Sequence, residues 1–381
     1  MRVQQLILKN HADFDAALAP LADLRPQLVL VFGACAYFAA PGLSAALRRQ
    51  LPGAVIAGCS TAGEIAGKRV YDDSCVITAI RFAHTEVAIA DAIICDMADS
   101  RDTGERLAQA LPQDGLAAVF MLGTGVAING SALIAGLQAN LPPGVTVSGG
   151  LAADGGAFRQ TWTLGPRGAA DNTVVAVGLY GERIRLGYGS HAGWEAFGPA
   201  RKVTRCVGNV LYGLDGARAL DIYKLYLGDY ARDLPGSGLL FPFEMLSAAH
   251  EKSNVFRTIL AVDEEQGSLT LAGDILADGY LKLMHSSTNK LIDGAETAAR
   301  GVQRHADAQG DALALLVSCV GRKLVMGDRV DEEVEAVADL LGGGATCIAG
   351  FYSNGEIGIA QPHGACQLHN QTMTVTVLSE T

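Results

Sequence analysis

Two stretches far apart in the chain repeat one polar corner. Ala57-Gly58-Cys59-Ser60-Thr61-Ala62-Gly63-Glu64-Ile65 and Ala349-Gly350-Phe351-Tyr352-Ser353-Asn354-Gly355-Glu356-Ile357 share the pattern A-G-[CF]-[SY]-[ST]-x-G-E-I. Glycines, glutamate and isoleucine stand in register. Such a corner could bind a polar ligand through turn amides and side chains, drawing on Gly58, Cys59, Ser60, Thr61, Gly63, Glu64, Tyr352, Ser353, Asn354 and Glu356. It could equally be plain structure, with glycines in positive-φ turns and carboxylates capping nearby amides. Both readings stay open at this point.

Nucleophilic chemistry has weaker footing. Gly58-Cys59-Ser60-Thr61-Ala62-Gly63 misses the G-x-S-x-G elbow by one position, and no histidine lies close to Cys59 in sequence. The loop Gly123-Thr124-Gly125-Val126-Ala127-Ile128-Asn129-Gly130 sits where a phosphate loop would, yet it lacks both the G-x-G-x-x-G and the Walker pattern. No HExxH metal motif is present, and the eight cysteines are scattered singly without CxxC. Reduced thiols in a cytoplasmic protein follow as the expectation.

Apolar strands and striped helices must position the corners. Three segments share one grammar of strand, Gly, helix, strand, Gly. They run from Leu28 through a helix near 42–51 to Gly58, from Ala117 through 131–141 to Gly149, and from Leu313 through 331–342 to Gly350. Leu43, Leu47 and Leu51 lie four apart, as do Leu133, Leu137 and Leu141, while Val334, Val337, Ala338 and Leu341 follow the 3, 4, 7 spacing. Strands apolar on both faces imply parallel βαβ units covered by helices. Ser131 and Asp331 read as N-caps. Antiparallel strands are expected within 69–93, 158–190 and 255–275 and at Thr372–Leu378, with further helices at 220–234 and 288–306. The fold class is α/β: repeated βαβ units, mixed sheets, a layered sandwich with outer helices, and two related domains.

Composition bounds the function. The chain has 381 residues, enough for two domains, with 49% hydrophobic and 18% charged residues. A net charge of −11 argues against binding nucleic acid or anionic membrane. No apolar run reaches the length of a membrane helix, and no signal peptide is visible at Met1-Arg2-Val3-Gln4-Gln5-Leu6.

The two G-E-I corners are joined by Leu281-Lys282-Leu283-Met284, Leu291-Ile292-Asp293-Gly294-Ala295 and Leu368-His369-Asn370-Gln371-Thr372-Met373. On these residues the chain resembles the FIST family of bacterial sensory proteins. That resemblance implies an N-terminal FIST domain, placed at 1–205, and a C-terminal one at 206–381. It implies small-ligand sensing that is passed to histidine kinases, cyclic-di-GMP enzymes or chemotaxis receptors. No output segment is recognisable, so the sensor is expected to act through a separate partner protein. The two-domain form resembles the NosP subgroup of nitric-oxide-responsive haem proteins.

A b-type haem needs an axial ligand, usually neutral His, beside an apolar slot. Eight histidines are available: 11, 84, 191, 250, 285, 305, 363 and 369. His285 is the first candidate for haem iron, because it follows an apolar strand and precedes a helix. His369 and His250 come next. The expectation is therefore a cytoplasmic, non-enzymatic sensor binding haem b and responding to nitric oxide, possible as a homo-oligomer. One alternative is an amino-acid or small-metabolite sensor without haem. The other is a cofactor-independent hydrolase using Cys59 or Ser60.

Overall fold

The computed structural model describes residues 1–9, 13–40, 42–302, 309–341, 346–359 and 365–381. Its architecture follows from three copies of one strand pattern. In the first copy, Leu28–Gly33 and Val55–Ser60 pair in parallel across the helix Gly42–Gln50, with Cys75–Arg81 and Arg2–Leu8 added antiparallel. The second copy pairs Leu116–Gly123 with Thr146–Leu151 across the helix Gly130–Ala139, then adds Thr173–Tyr180 and Glu86–Ile93. The third pairs Gln309–Cys319 with Thr346–Ser353 across Asp331–Leu341, then adds Met373–Glu380 and Ile184–His191. The α/β class, the mixed sheets and the outer helices are as the sequence implies.

Each copy lends a short hairpin to a neighbour. Glu64–Ala66 with Arg69–Tyr71 completes the third sheet, Thr163–Gly165 with Gly168–Ala170 the first, and Gly355–Ile359 with Cys366–His369 the second. The exchange is cyclic, so three six-stranded sheets close into a ring. At its centre Leu30, Phe32, Phe120, Leu122, Val175, Leu315, Val317 and Phe351 form one shared core, with the Phe32 and Phe351 ring centroids 4.6 Å apart. The opposite faces pack on helices: Val29 and Val31 against Leu43 and Leu47, Met121 against Leu133 and Leu137, Leu316 against Val334 and Val337. Continuous apolar runs are required because both faces of every central strand are covered.

A fourth, nine-stranded sheet, built from strands between Glu195 and His285, interrupts the third copy. The boundary expected at 205/206 passes through one of its strands, Arg201–Val207. Two caps differ from expectation. Asn129, not Ser131, caps its helix by accepting from Ala132 N at 3.1 Å. Asp331 opens its helix, and its carboxylate accepts from Val70 N at 2.7 Å, tying the lent hairpin to the third copy. The helix expected over 220–234 is α-helical only over Ala219–Leu227 and continues as a 3-10 turn, Gly228–Asp233. No helix among the described residues is long and apolar enough to cross a membrane.

Candidate functional site

The corners begin where a strand must come unusually close to its neighbour. A Cβ on Gly58 would lie 2.2 Å from Val31 O, on Gly149 1.8 Å from Met121 O, and on Gly350 1.9 Å from Leu316 O. All three copies need glycine at this one position, because a backbone carbonyl already fills the space. The chain then crosses to the next sheet. Cys59, Gly150 and Phe351 are equivalent, facing Phe32, Leu122 and Val317 across the parallel pairs. Opposite them on the lent hairpins stand Thr163, Glu356 and Glu64.

Both glutamates are consumed by their own turns. Glu356 accepts from Ser353 Oγ at 2.7 Å, from Thr372 N at 3.0 Å and from Thr372 Oγ1 at 2.9 Å. Glu64 accepts from Thr61 Oγ1, from Ser74 Oγ at 2.6 Å and from Ser74 N at 3.3 Å. Burial pushes both carboxyls up to about 7, against the pull of these hydrogen bonds. The third corner replaces the acid with Thr163, whose hydroxyl meets Thr173 Oγ1 at 2.6 Å and donates to Thr173 O at 3.0 Å. The rest of the corner set is similarly engaged. Tyr352 donates its hydroxyl to the buried Glu333, which also pairs with Arg322. Asn354 donates to Gly125 O at 3.2 Å, although its Oδ1 has no protein partner. A cavity of about 250 Å³ does adjoin the first corner, where Gly63 and Glu64 meet Cys35, Asp72, Asp73 and Asp154. Glu356, by contrast, is wholly enclosed.

The proposed nucleophiles are not placed for attack. Cys59 lies in the central apolar core, where burial pushes its thiol well up. Ser60 donates to Ala153 O at 2.7 Å and accepts from Trp162 N at 2.8 Å, with no exposed surface. In the glycine loop, Gly125 N is spent on Thr161 Oγ1 at 2.8 Å.

The three haem candidates lie apart. His285 is exposed at a strand end, with its ring on edge to Phe197 at 5.7 Å. His250 is exposed in a left-handed loop position and stacks on Tyr280 at 3.9 Å. Only His369 is buried, at 1% exposure, beside a cavity of about 280 Å³. Ser190, His191, Glu244, Lys252 and Asn254 share that cavity's wall. Its small size and polar lining do not fit a porphyrin, which needs a broad apolar slot. His11, His305 and His363 lie outside the described residues.

The His369 cavity is lined by two residues that each leave a buried polar atom without a protein partner. His369 Nε2 is 3.1 Å from Gly358 O, and burial holds the imidazole down at about 4. A carbonyl only accepts, so Nε2 carries the proton and Nδ1 presents a bare lone pair. Nδ1 has no protein partner; nor has Glu244 Oε2. Burial raises the Glu244 carboxyl, opposed by Lys252 and Lys282. Glu244 escaped the sequence reading. Its signal was an acid inside an apolar strand, Phe243-Glu244-Met245-Leu246.

Comparison with known proteins bears on the family. A family model for the FIST N domain matches residues 27–217, and one for the FIST C domain matches 219–359. No curated protein sequence matches the chain. Among solved structures, a cyanuric acid hydrolase described as an evolutionary innovation by structural concatenation aligns at 11% identity and a TM-score of 0.35, over 100% of this chain and 99% of that one. The cyanuric acid hydrolase of A. caulinodans aligns at 9% identity and 0.38, with the same coverage. Against the expectation that the chain is not an enzyme stand these two solved structures, both of enzymes. At these TM-scores the likeness carries no argument about this chain's own chemistry.

Proposed function

We propose, from the premise that the chain belongs to the FIST family, that it is a sensor of a small polar metabolite held between the inserted sheet and the ring. FIST domains are sensory signal-transduction domains. One observation carries the finer reading: the 280 Å³ cavity is walled from both bodies. Ser190, His191 and His369 come from the ring, and Glu244, Lys252 and Asn254 from the insert.

The seam around the cavity suits a switch. Its apolar contacts include a small cluster of Ala192, Trp194, Phe256, Met284, Leu291 and Met326. Polar contacts cross it as well. Trp194 Nε1 donates to Gln371 O at 2.9 Å, Gln371 Nε2 to Leu239 O at 2.8 Å, and Arg257 Nη1 to Leu368 O at 3.0 Å. Polar interfaces of this kind between parts of one chain permit relative motion. A ligand that bridges both walls stabilises one arrangement by its differential affinity. The altered surface is then read by a separate partner, a histidine kinase or a cyclic-di-GMP enzyme. Eight unpaired thiols suit a cytoplasmic setting for this exchange.

Thermal-shift screening of the purified chain against pooled metabolites, with haem as a separate arm, tests the reading. The expected result is a rise in Tm with a metabolite pool, lost in Asn254→Trp, and no Soret band after haem addition. A Soret band that shifts with nitric oxide, or no stabilisation by any pool, overturns it.

A further inference from the structure

We propose that the molecule carries a second ligand site, built around Arg257, which takes a monocarboxylate with an apolar body. The site is a cavity of about 300 Å³ between the insert and the ring helix Gly130–Ala139. It shares no wall residue with the His369 cavity and does not depend on the sensory reading of that cavity. Strand geometry keeps the two apart, because successive strand residues point to opposite faces. Glu244, Phe256 and His369 line the first cavity, while their chain neighbours Met245, Arg257 and Leu368 line the second.

Arg257 is a buried cation whose hydrogen-bond partners are all neutral. It is 4% exposed. Its Nε donates to Asp274 O, and its Nη1 to Phe256 O and Leu368 O, each at 3.0 Å. Its Nη2 reaches Ser131 Oγ at 3.3 Å. A guanidinium has five N–H groups, so one on Nη2 is left over among the described residues. Asp274 stands on the same wall, but its carboxylate accepts from Asn129 Nδ2 at 2.8 Å and acts on Arg257 only at a distance. Burial outweighs that attraction and brings the guanidinium down to about 10, which still leaves it charged at neutral pH. Buried charges in native proteins are paired. This one lacks a direct anionic partner and borders a cavity that could admit one.

The surroundings select the anion. Ser131 Oγ accepts from Arg257 and from Asp274 N at 3.4 Å, which leaves the hydroxyl its own proton to donate. A carboxylate can therefore take Arg257 Nη2–H on one oxygen and the Ser131 hydroxyl on the other. Ser131 lies in the first turn of its helix, where the backbone dipole also favours negative charge. Ile134, Met245, Ile275 and Leu368 supply an apolar wall for the rest of the ligand. Phosphate fits badly, since that wall would strip its water and Asp274 would repel a second negative charge. An α-amino group fits badly too, because it would set a second cation beside Arg257. One charge and an apolar body match the wall, and the volume suits a small molecule.

Isothermal titration of the full chain tests this with straight-chain carboxylates from butyrate to octanoate, their primary amides, their α-amino analogues and inorganic phosphate. At least one carboxylate is expected to bind, with its amide and its α-amino analogue at least tenfold weaker and phosphate silent. Arg257→Gln should lower the carboxylate affinity at least tenfold. Ala135→Trp should do the same by filling the cavity from an exposed position on the helix. That second variant keeps the test intact if Arg257→Gln fails to fold. Asn254→Trp, in the other cavity, should leave carboxylate binding unchanged, so the two sites fail separately. No carboxylate binding, equal binding of the amide, or affinity undiminished in Ala135→Trp overturns the proposal. Carboxylate binding that is lost in Asn254→Trp also overturns it, because the ligand would then occupy the His369 cavity.

Discussion

Glu356 and Glu244 are both buried carboxylates on strands, and they live in opposite conditions. Around Glu356 the chain supplies two hydroxyls and an amide, all within 3.0 Å. Around Glu244, which lines the seam cavity, it leaves Oε2 with no donor. A buried acid with a full set of donors stabilises the turn that provides them; one without donors destabilises the fold until something else arrives. The contrast separates two roles that residue type alone cannot. The repeated corners hold the ring together, while the seam is where an outside molecule has something to satisfy.

The sharpest way to break this contrast is to delete each acid. Glu356→Ala strands Ser353 and both Thr372 donors in a sealed site, and we expect a loss of about 3–5 kcal/mol in denaturant unfolding. A loss within 1 kcal/mol of zero would show that the corner is not a structural staple.

Proton linkage gives the next largest effect. Glu64 and Glu356 titrate at about 7 in the fold, against an ordinary value of 4.5. Between those values the folded chain binds protons that the unfolded chain has released. Their contribution is therefore most favourable below about 4.5 and is lost as pH rises through about 7. Glu380 runs the other way. Burial pushes its carboxyl up, but the amides of Ala83, His84 and Thr85 and the Thr85 hydroxyl outweigh that and hold it at about 2. Its contribution is present above 4.5 and is lost as pH falls toward 2. Unfolding free energy measured from pH 4.5 to 8 should fall with a slope that the double variant Glu64→Gln, Glu356→Gln flattens. An unchanged slope would contradict the assignment.

Smaller effects sharpen the comparison. Thr163→Val removes an uncharged corner and should cost about 1 kcal/mol by denaturant unfolding, well below Glu356→Ala. An equal cost would mean that the carboxylate adds nothing. In the ligand-free chain, Glu244→Gln should change stability by less than about 0.5 kcal/mol, since no donor is lost. A large loss there would place Glu244 among the structural acids.

Much of the ring was legible in the sequence. Apolar runs ending at Gly58, Gly149 and Gly350, each followed or preceded by a leucine or valine stripe, marked three βαβ units because double-sided burial leaves that trace. The cyclic exchange was not legible. It rests on hairpins as short as Glu64–Ala66 and Thr163–Gly165, whose pairing partners are set by distant geometry rather than local pattern. The third corner was hidden for a related reason: its register position is occupied by Thr163, so no G-E-I text marks it. Of the histidines, His369 is visible only as a candidate for haem after His285, because sequence does not reveal how small and polar its cavity is. The cavity's other wall, Glu244 and Asn254, belongs to an insert that follows no repeat and so offered no pattern to extend.

The central claim is that a ligand enters the seam and joins ring to insert. Hydrogen exchange of the full chain with and without the metabolite that most raises its Tm tests it most directly. The account predicts added protection on Lys252–Arg257 and Cys366–His369 together, with little change around Glu64. Protection confined to the Glu64 corner, or no change in either strand at saturating ligand, would contradict it.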